Sequence, residues 1–172
     1  MPALLPNIDP DGLMEFSVVY TDRSLNHMSK RFGGVMCDIG RMLKNVYKAH
    51  SVVLVPGSGT FGMESVARQF AQDAHVMVIR NGWFSYRWSQ IFEMGAIPAE
   101  TTVLKARLTG PGPQAAFAPA PIDEVVETIR RTKPDVVFAP HVETSSGVLL
   151  PDSYIEAVSA AAHAVGGLFV LD

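Results

Sequence analysis

The sequence predicts an α/β protein, a mostly parallel sheet flanked by helices. Three observations predict it. Five short, largely apolar runs, at 51–55, 75–79, 101–104, 135–138 and 168–171, have the composition of strands buried on both faces of a parallel sheet. Between most of them lie stretches with apolar residues three and four apart, the spacing of amphipathic helices. Of the 172 residues 48% are apolar and only 18% charged, enough to bury a real core and too apolar for intrinsic disorder. Strands alternating with helices give a parallel sheet.

The first element is an arm: residues 1–25 are rich in Pro and Asp and read as irregular. A helix is predicted over 27–47, with Met28, Phe32, Val35, Ile39, Leu43 and Val46 on one stripe, although Gly33, Gly34 and Gly40 weaken it. The first strand is predicted at 51–55, followed by a Gly-rich turn and a helix over 60–72. The second strand, 75–79, ends at Asn81-Gly82, and a helix comes next over 85–94. The third strand is 101–104. Residues 106–121 carry Gly110-Pro-Gly-Pro113, Pro119 and Pro121 and read as a loop or linker. A helix over 122–131 has Asp123 and Glu124 in its first turn and Arg130 and Arg131 in its last, the order the helix dipole favours. The strand 135–138 leads into a polar loop, 141–150. Pro151-Asp152 opens a helix carrying Tyr154, Ile155, Val158 and Ala162, and 168–171 is the last strand.

Composition excludes several functions. With 14 Lys+Arg against 17 Asp+Glu, the net charge of −3 offers no basic face for nucleic acid or an anionic membrane. One cysteine, Cys37, rules out a disulfide framework and a Cys-based zinc site. The N-terminus has no signal-peptide pattern, and no apolar run reaches the roughly 18–20 residues that span a bilayer. A soluble, cytoplasmic protein is expected. The sequence stops within a buried-strand pattern, so a longer natural protein is expected as well.

In parallel sheets ligands bind beyond the carboxyl ends of the strands. After the first predicted strand comes Pro56-Gly-Ser-Gly-Thr-Phe-Gly62. Its glycines permit a tight turn, the next helix offers free N–H groups, and Ser58 and Thr60 add hydroxyls, a suitable cradle for a phosphate. A Gly turn with a Ser/Thr helix cap is the plainer reading. Gly57, Gly59 and Gly62 also fit G-x-G-x-x-G. With Arg80 at the next strand end to take a 2′-phosphate, an NADP-binding Rossmann-type oxidoreductase is the alternative. After the second strand, Trp83, Phe84, Tyr86 and Trp88 crowd a turn, where one ring could stack on a flat ligand while the others pack. After the fourth come His141 and the hydroxyls Thr144, Ser145 and Ser146, donors for a polar ligand atom or an ordinary Ser/Thr turn. After the last comes Asp172, an acid that needs a positive partner or donors if it faces the crevice, or else a helix cap.

Together Gly57-Ser-Gly-Thr60, Asn81-Gly-Trp-Phe-Ser85, His141-Val-Glu-Thr-Ser-Ser-Gly147 and Leu168-Phe-Val-Leu-Asp172 resemble the class V aminotransferases. These are pyridoxal-phosphate enzymes of fold type I, and the resemblance is to the alanine–glyoxylate and serine–pyruvate branch. Residues 24–32 resemble the entry to that family's first long helix. The resemblance implies a partial cofactor-binding large domain over 26–172 and transamination of a small amino acid with glyoxylate or pyruvate as acceptor. It implies that Ser58, Gly59 and Thr60 hold the cofactor phosphate. It implies that Phe84 stacks on the pyridine ring, that Thr144 bonds the phenolic oxygen and that Asp172 pairs with the ring nitrogen. It implies a homodimer whose N-terminal arm crosses to the partner. The family's Schiff-base lysine lies beyond the residue matching Asp172, outside this chain, and Lys30, Lys44, Lys48, Lys105 and Lys133 do not match it. The cysteine desulfurases of the same fold place a His where Phe84 stands. A non-catalytic fragment is the remaining alternative.

Overall fold

A computed structural model of the chain describes residues 27, 28 and 30–172. The arm read at 1–25 lies outside them. The chain divides into two compact units, 1–54 and 55–172. In the first, α1 (Lys30–Tyr47) carries the predicted apolar stripe, and Arg41 pairs with Asp38 at 2.6 Å.

The second unit is the α/β body. Its elements are α2 (Gly59–Phe70), β1 (His75–Arg80), α3 (Trp83–Gly95), β2 (Glu100–Lys105), β3 (Arg107–Leu108), β4 (Phe117–Ala118), α4 (Ile122–Thr132), β5 (Val136–Ala139), β6 (Val142–Glu143), β7 (Val148–Leu149), α5 (Asp152–Ala164) and β8 (Leu168–Leu171). The main sheet has four parallel strands in the order β2-β1-β5-β8. All four therefore end on one edge.

The period of two along the strands builds two cores. Val76 and Val78 of β1, with Val136 and Phe138 of β5, face Met63 and Ala67 of α2 and Trp88 and Phe92 of α3. Met77, Ile79, Val137 and Ala139 face Val125 and Ile129 of α4 and Tyr154 and Val158 of α5. Continuous apolar runs are what a strand covered on both faces requires. Phe138 packs against Trp88 and Phe92 with ring centroids 4.5 and 5.1 Å away. Trp88, one of the four crowded aromatics, is thus a core residue.

Three expectations need correction. The run 51–55 forms no strand, and Val53, Leu54 and Val55 are exposed. A strand exists only when another strand satisfies its backbone groups, and no described strand pairs with this one. Residues 106–121 are more than a loop: β3 and β4 form an antiparallel pair, joined by the Gly110–Pro113 turn. The polar loop 141–150 likewise contains a hairpin, β6 with β7, with Glu143 paired to Val148 and the hydroxyls of residues 144–146 in the turn between them.

Candidate functional site

The chain leaves β1 through Asn81-Gly82 into α3, leaves β5 into the β6–β7 hairpin, and passes from β8 into Asp172. All three exits lie on the carboxyl edge of the sheet. Glu143, which is fully buried, ties the first two together. Its Oε1 accepts from the Phe84 N–H at 3.0 Å and from the Ser145 hydroxyl at 2.5 Å. Its Oε2 accepts from the Ser85 N–H at 2.8 Å and the Ser85 hydroxyl at 2.5 Å. The first N–H groups of a helix have no partner inside it, and the helix dipole is positive there, so a carboxylate suits the position. The Ser85 hydroxyl oxygen accepts in turn from the Asn81 and Gly82 N–H groups, at 2.8 and 3.1 Å. The Ser145 hydroxyl accepts from the Trp83 N–H at 2.8 Å, and the Ser146 hydroxyl donates to the Asn81 carbonyl at 2.9 Å. Burial alone would push the Glu143 carboxyl up. The hydrogen bonds from Ser145, Ser85 and Phe84 outweigh it and hold the group below the ordinary Glu value. Glycine at 82 is a steric requirement of this clamp, because a Cβ there would stand 2.5 Å from the Ser145 hydroxyl and 2.7 Å from Glu143 Cγ.

The clamp holds the Phe84 backbone directly, Thr144 lies in its hairpin turn, and Asp172 is held separately by the strand register. Phe84, in the first turn of α3, has its backbone held by Glu143 while the residue as a whole is 44% exposed. Thr144, between two clamp residues, is exposed, and its hydroxyl makes no hydrogen bond among the described residues. Asp172 continues the β8 register: its N–H donates to the Ala139 carbonyl at 3.1 Å, and its carbonyl accepts from the His141 N–H at 2.8 Å. Desolvation, and then the Glu143 charge, push the Asp172 carboxyl above the ordinary Asp value. This end of the site is electronegative and would be relieved by a cation.

The remaining candidates lie at the start of α2. Ser58 caps the helix in an extended conformation, its carbonyl accepting from the Phe61 and Gly62 N–H groups at 2.9 and 3.3 Å. Its hydroxyl makes no capping bond, and the Gly59 and Thr60 N–H groups have no acceptor among the described residues. Gly57 has φ +146, and a Cβ there would meet the Phe61 ring at 2.9 Å, so the turn needs glycine. The Thr60 hydroxyl oxygen accepts from Arg87 Nη1 of α3 at 2.7 Å, which sets the helix start beside α3. Between the helices runs a groove of about 400 Å³, lined among others by Thr60, Glu64, Arg68, Arg87 and Gln90.

These donors fit a pyridoxal phosphate. Free N–H groups and hydroxyls at a helix start suit its phosphate, an exposed ring suits its pyridine face, and an acid above its ordinary pKa suits a protonated ring nitrogen. The dinucleotide alternative does not fit. Its glycine fingerprint requires a strand immediately before it, and 51–55 is not one. Arg80, assigned there to a 2′-phosphate, lies 4.9 Å above the Tyr86 ring and reaches Ser89 at 3.5 Å. Glu143 and Arg87 are the site residues that sequence reasoning missed. A charged residue among hydroxyls just beyond a buried strand was the available signal for Glu143.

Neither a family model nor a curated protein matches the sequence. Solved structures do match the fold. Ureidoglycine-glyoxylate aminotransferase from Bacillus subtilis superposes with a TM-score of 0.71 at 20% identity, over 86% of this chain and 36% of that one. Alanine–glyoxylate aminotransferase from Nostoc sp. gives 0.67 at 22%, over 86% and 37%. Pyridoxamine-pyruvate aminotransferase from Mesorhizobium loti gives 0.70 at 16%, over 86% and 35%. The chain thus spans little more than a third of the length of these structures. Over that span it has the fold they share, the α/β large-domain fold of the fold type I aminotransferases.

Proposed function

We propose that the protein is a pyridoxal-phosphate-dependent aminotransferase that passes the amino group of a small amino acid, of alanine or serine type, to glyoxylate or pyruvate. The observation that carries this reading is the charge polarity along the first turns of α3. Glu143 and Asp172 make one end negative. Arg87 and the start of α2 make the other positive. Phe84 lies in the first turn of the same helix and is exposed. A flat ligand with a phosphate at one end and a protonated ring nitrogen at the other matches that order. The names of the three structural neighbours, two with glyoxylate and one with pyruvate, support the acceptor class.

When bound, pyridoxal phosphate supplies a sink for the electrons of the substrate's Cα–H bond. The chain's own residues prepare for it. Ser58, Gly59 and Thr60 hold the phosphate oxygens through N–H and O–H donors. Phe84 covers one ring face and excludes water from it. Thr144 offers its hydroxyl to the phenolic oxygen. Asp172, as a carboxylate, keeps a proton on the ring nitrogen, and Glu143 strengthens the negative potential there. A homodimer in the cytoplasm completes the proposal. Among the described residues no helix is long and apolar enough to cross a membrane, and the dimer follows from the family resemblance. Size-exclusion with light scattering on the full-length protein tests it, and a monomer would refute it.

The decisive experiment is an intact mass of the full-length protein after addition of pyridoxal phosphate and borohydride reduction. One covalent pyridoxyl group is expected, together with amino transfer from alanine or serine to glyoxylate or pyruvate. A protein without the adduct ends the aminotransferase reading.

A further inference from the structure

The geometry points to Arg87 as the positioning residue of the phosphate cradle: it fixes Thr60 as a hydroxyl donor and adds positive charge to the start of α2. This inference rests on the cofactor reading above. Arg87 Nη1 meets Thr60 Oγ1 at 2.7 Å, within the range of a charge-assisted bond. A guanidinium has donors only, so the Thr60 oxygen must accept, and its own proton is left for another group. An unheld threonine hydroxyl rotates between donating and accepting; this one is committed to donate.

The sign of the charge is the second clue. A cation near a helix N-terminus meets the positive end of the dipole, the unfavourable arrangement. Among the described residues Arg87 has no carboxylate within ion-pair distance. Glu64, which lines the same groove, is taken by Arg68 at 2.7 Å. A half-buried guanidinium beside a positive helix end, bonded to a hydroxyl, is an arrangement that an arriving dianion relieves. Arg87 also lies three residues beyond Phe84, on the same side of α3. One helix face thus carries both the ring-covering residue and the residue that sets the cradle.

The test uses the full-length protein stripped of cofactor and titrated by absorbance with pyridoxal phosphate and, in parallel, with unphosphorylated pyridoxal. Wild type should prefer the phosphorylated form. Arg87→Ala should weaken pyridoxal phosphate about ten- to a hundredfold and leave pyridoxal unchanged, the scale of one charged hydrogen bond. Thr60→Val should do the same, and the double variant should be no worse than the weaker single one, because both remove one device. Thr60→Ser, which keeps the hydroxyl, should retain most of the affinity. If Arg87→Ala does not fold, Arg87→Lys should show the same phosphate-selective loss at smaller size. Wild-type selectivity in both Arg87 variants overturns the inference, as do losses that add fully in the double variant. A wild-type protein that takes neither compound overturns the cofactor reading itself, and this inference with it.

Discussion

Replacing Glu143 by Gln tests whether a buried carboxylate organises the site. The change keeps the shape and removes the charge. The carboxylate accepts from two backbone N–H groups and two hydroxyls. An amide can place its oxygen toward only one side. The Ser85 hydroxyl already accepts from two N–H groups and cannot accept a third bond, so the amide nitrogen must turn toward Ser145 and the Phe84 N–H. The Ser145 hydroxyl can rotate and accept, whereas the Phe84 N–H cannot and is left without an acceptor. A stranded donor of this kind costs about 1–3 kcal/mol. Loss of a buried anion at the helix start costs up to about 2 kcal/mol more. Together the loss is roughly 1–5 kcal/mol, a sizeable share of the roughly 5–15 kcal/mol of a whole domain.

Urea unfolding of the full-length protein, followed by intrinsic fluorescence, reads this directly, since Trp83 and Trp88 both lie in α3. The pH dependence gives a second reading. The folded carboxyl lies below its ordinary value of 4.5. Its contribution is therefore complete above that pH and is lost as the pH falls through the folded value. Glu143→Gln should remove that part of the acid sensitivity. A variant within about 0.5 kcal/mol of wild type, with the same acid slope, would refute the clamp.

Three further outcomes are set by the geometry. Asp172→Asn should leave the far-ultraviolet circular dichroism unchanged and lower turnover by about a hundredfold or more, the scale of one removed preorganised charge; near-normal turnover removes Asp172 from the mechanism. Gly82→Ala forces a Cβ to within 2.5 Å of the Ser145 hydroxyl and 2.7 Å of Glu143 Cγ, so a thermal melt should show about 1–3 kcal/mol of lost stability, and an unchanged melt would mean that the clamp yields. Tyr154, whose hydroxyl donates to the Ala120 carbonyl at 2.9 Å, is pushed up to about 12, by burial first and then by the Glu124 charge. Ultraviolet titration should find one tyrosine still protonated at pH 11 that Tyr154→Phe removes, and a titration that the substitution leaves unaltered would count against it.

What the sequence disclosed depended on how far apart the interacting residues lie. The strands at 75–79 and 135–138 were legible because burial on both faces is written as a continuous apolar run, and the structure places them at His75–Arg80 and Val136–Ala139. The run at 168–171 also forms a strand, Leu168–Leu171, although it is an edge strand of the sheet and Leu168 and Leu171 are exposed. The helix from 122 was legible because its end charges follow its dipole. The same apolar signal misled at 51–55, because composition reports the wish to be buried and not the presence of a partner strand. The two short hairpins escaped because strands of two residues have no period to read, and because Pro and Gly between β3 and β4 signal a turn without saying what it joins.

The site divides along the same line. Ser58, Gly59 and Thr60, proposed for the phosphate, stand out within one turn as glycine and hydroxyls at a helix start. Phe84, Thr144 and Asp172, proposed for the ring, stand out by following strands. What holds them is long-range. Glu143 bonds residues 58 and 59 positions back in the chain, Ser145 reaches 62 positions back, and Arg87 reaches 27 back. A carboxylate among hydroxyls reads locally as a solvated turn, and an arginine on a helix reads as a solvated face. Only the fold shows that the first is enclosed against a positive helix end that it neutralises, and that the second stands by a positive helix end that it reinforces. The two helix starts are therefore opposites. That of α3 is already satisfied by the protein's own anion and acts as a rigid support. That of α2 is left electropositive, with donors to spare, which is why it is the one proposed to hold the anionic ligand.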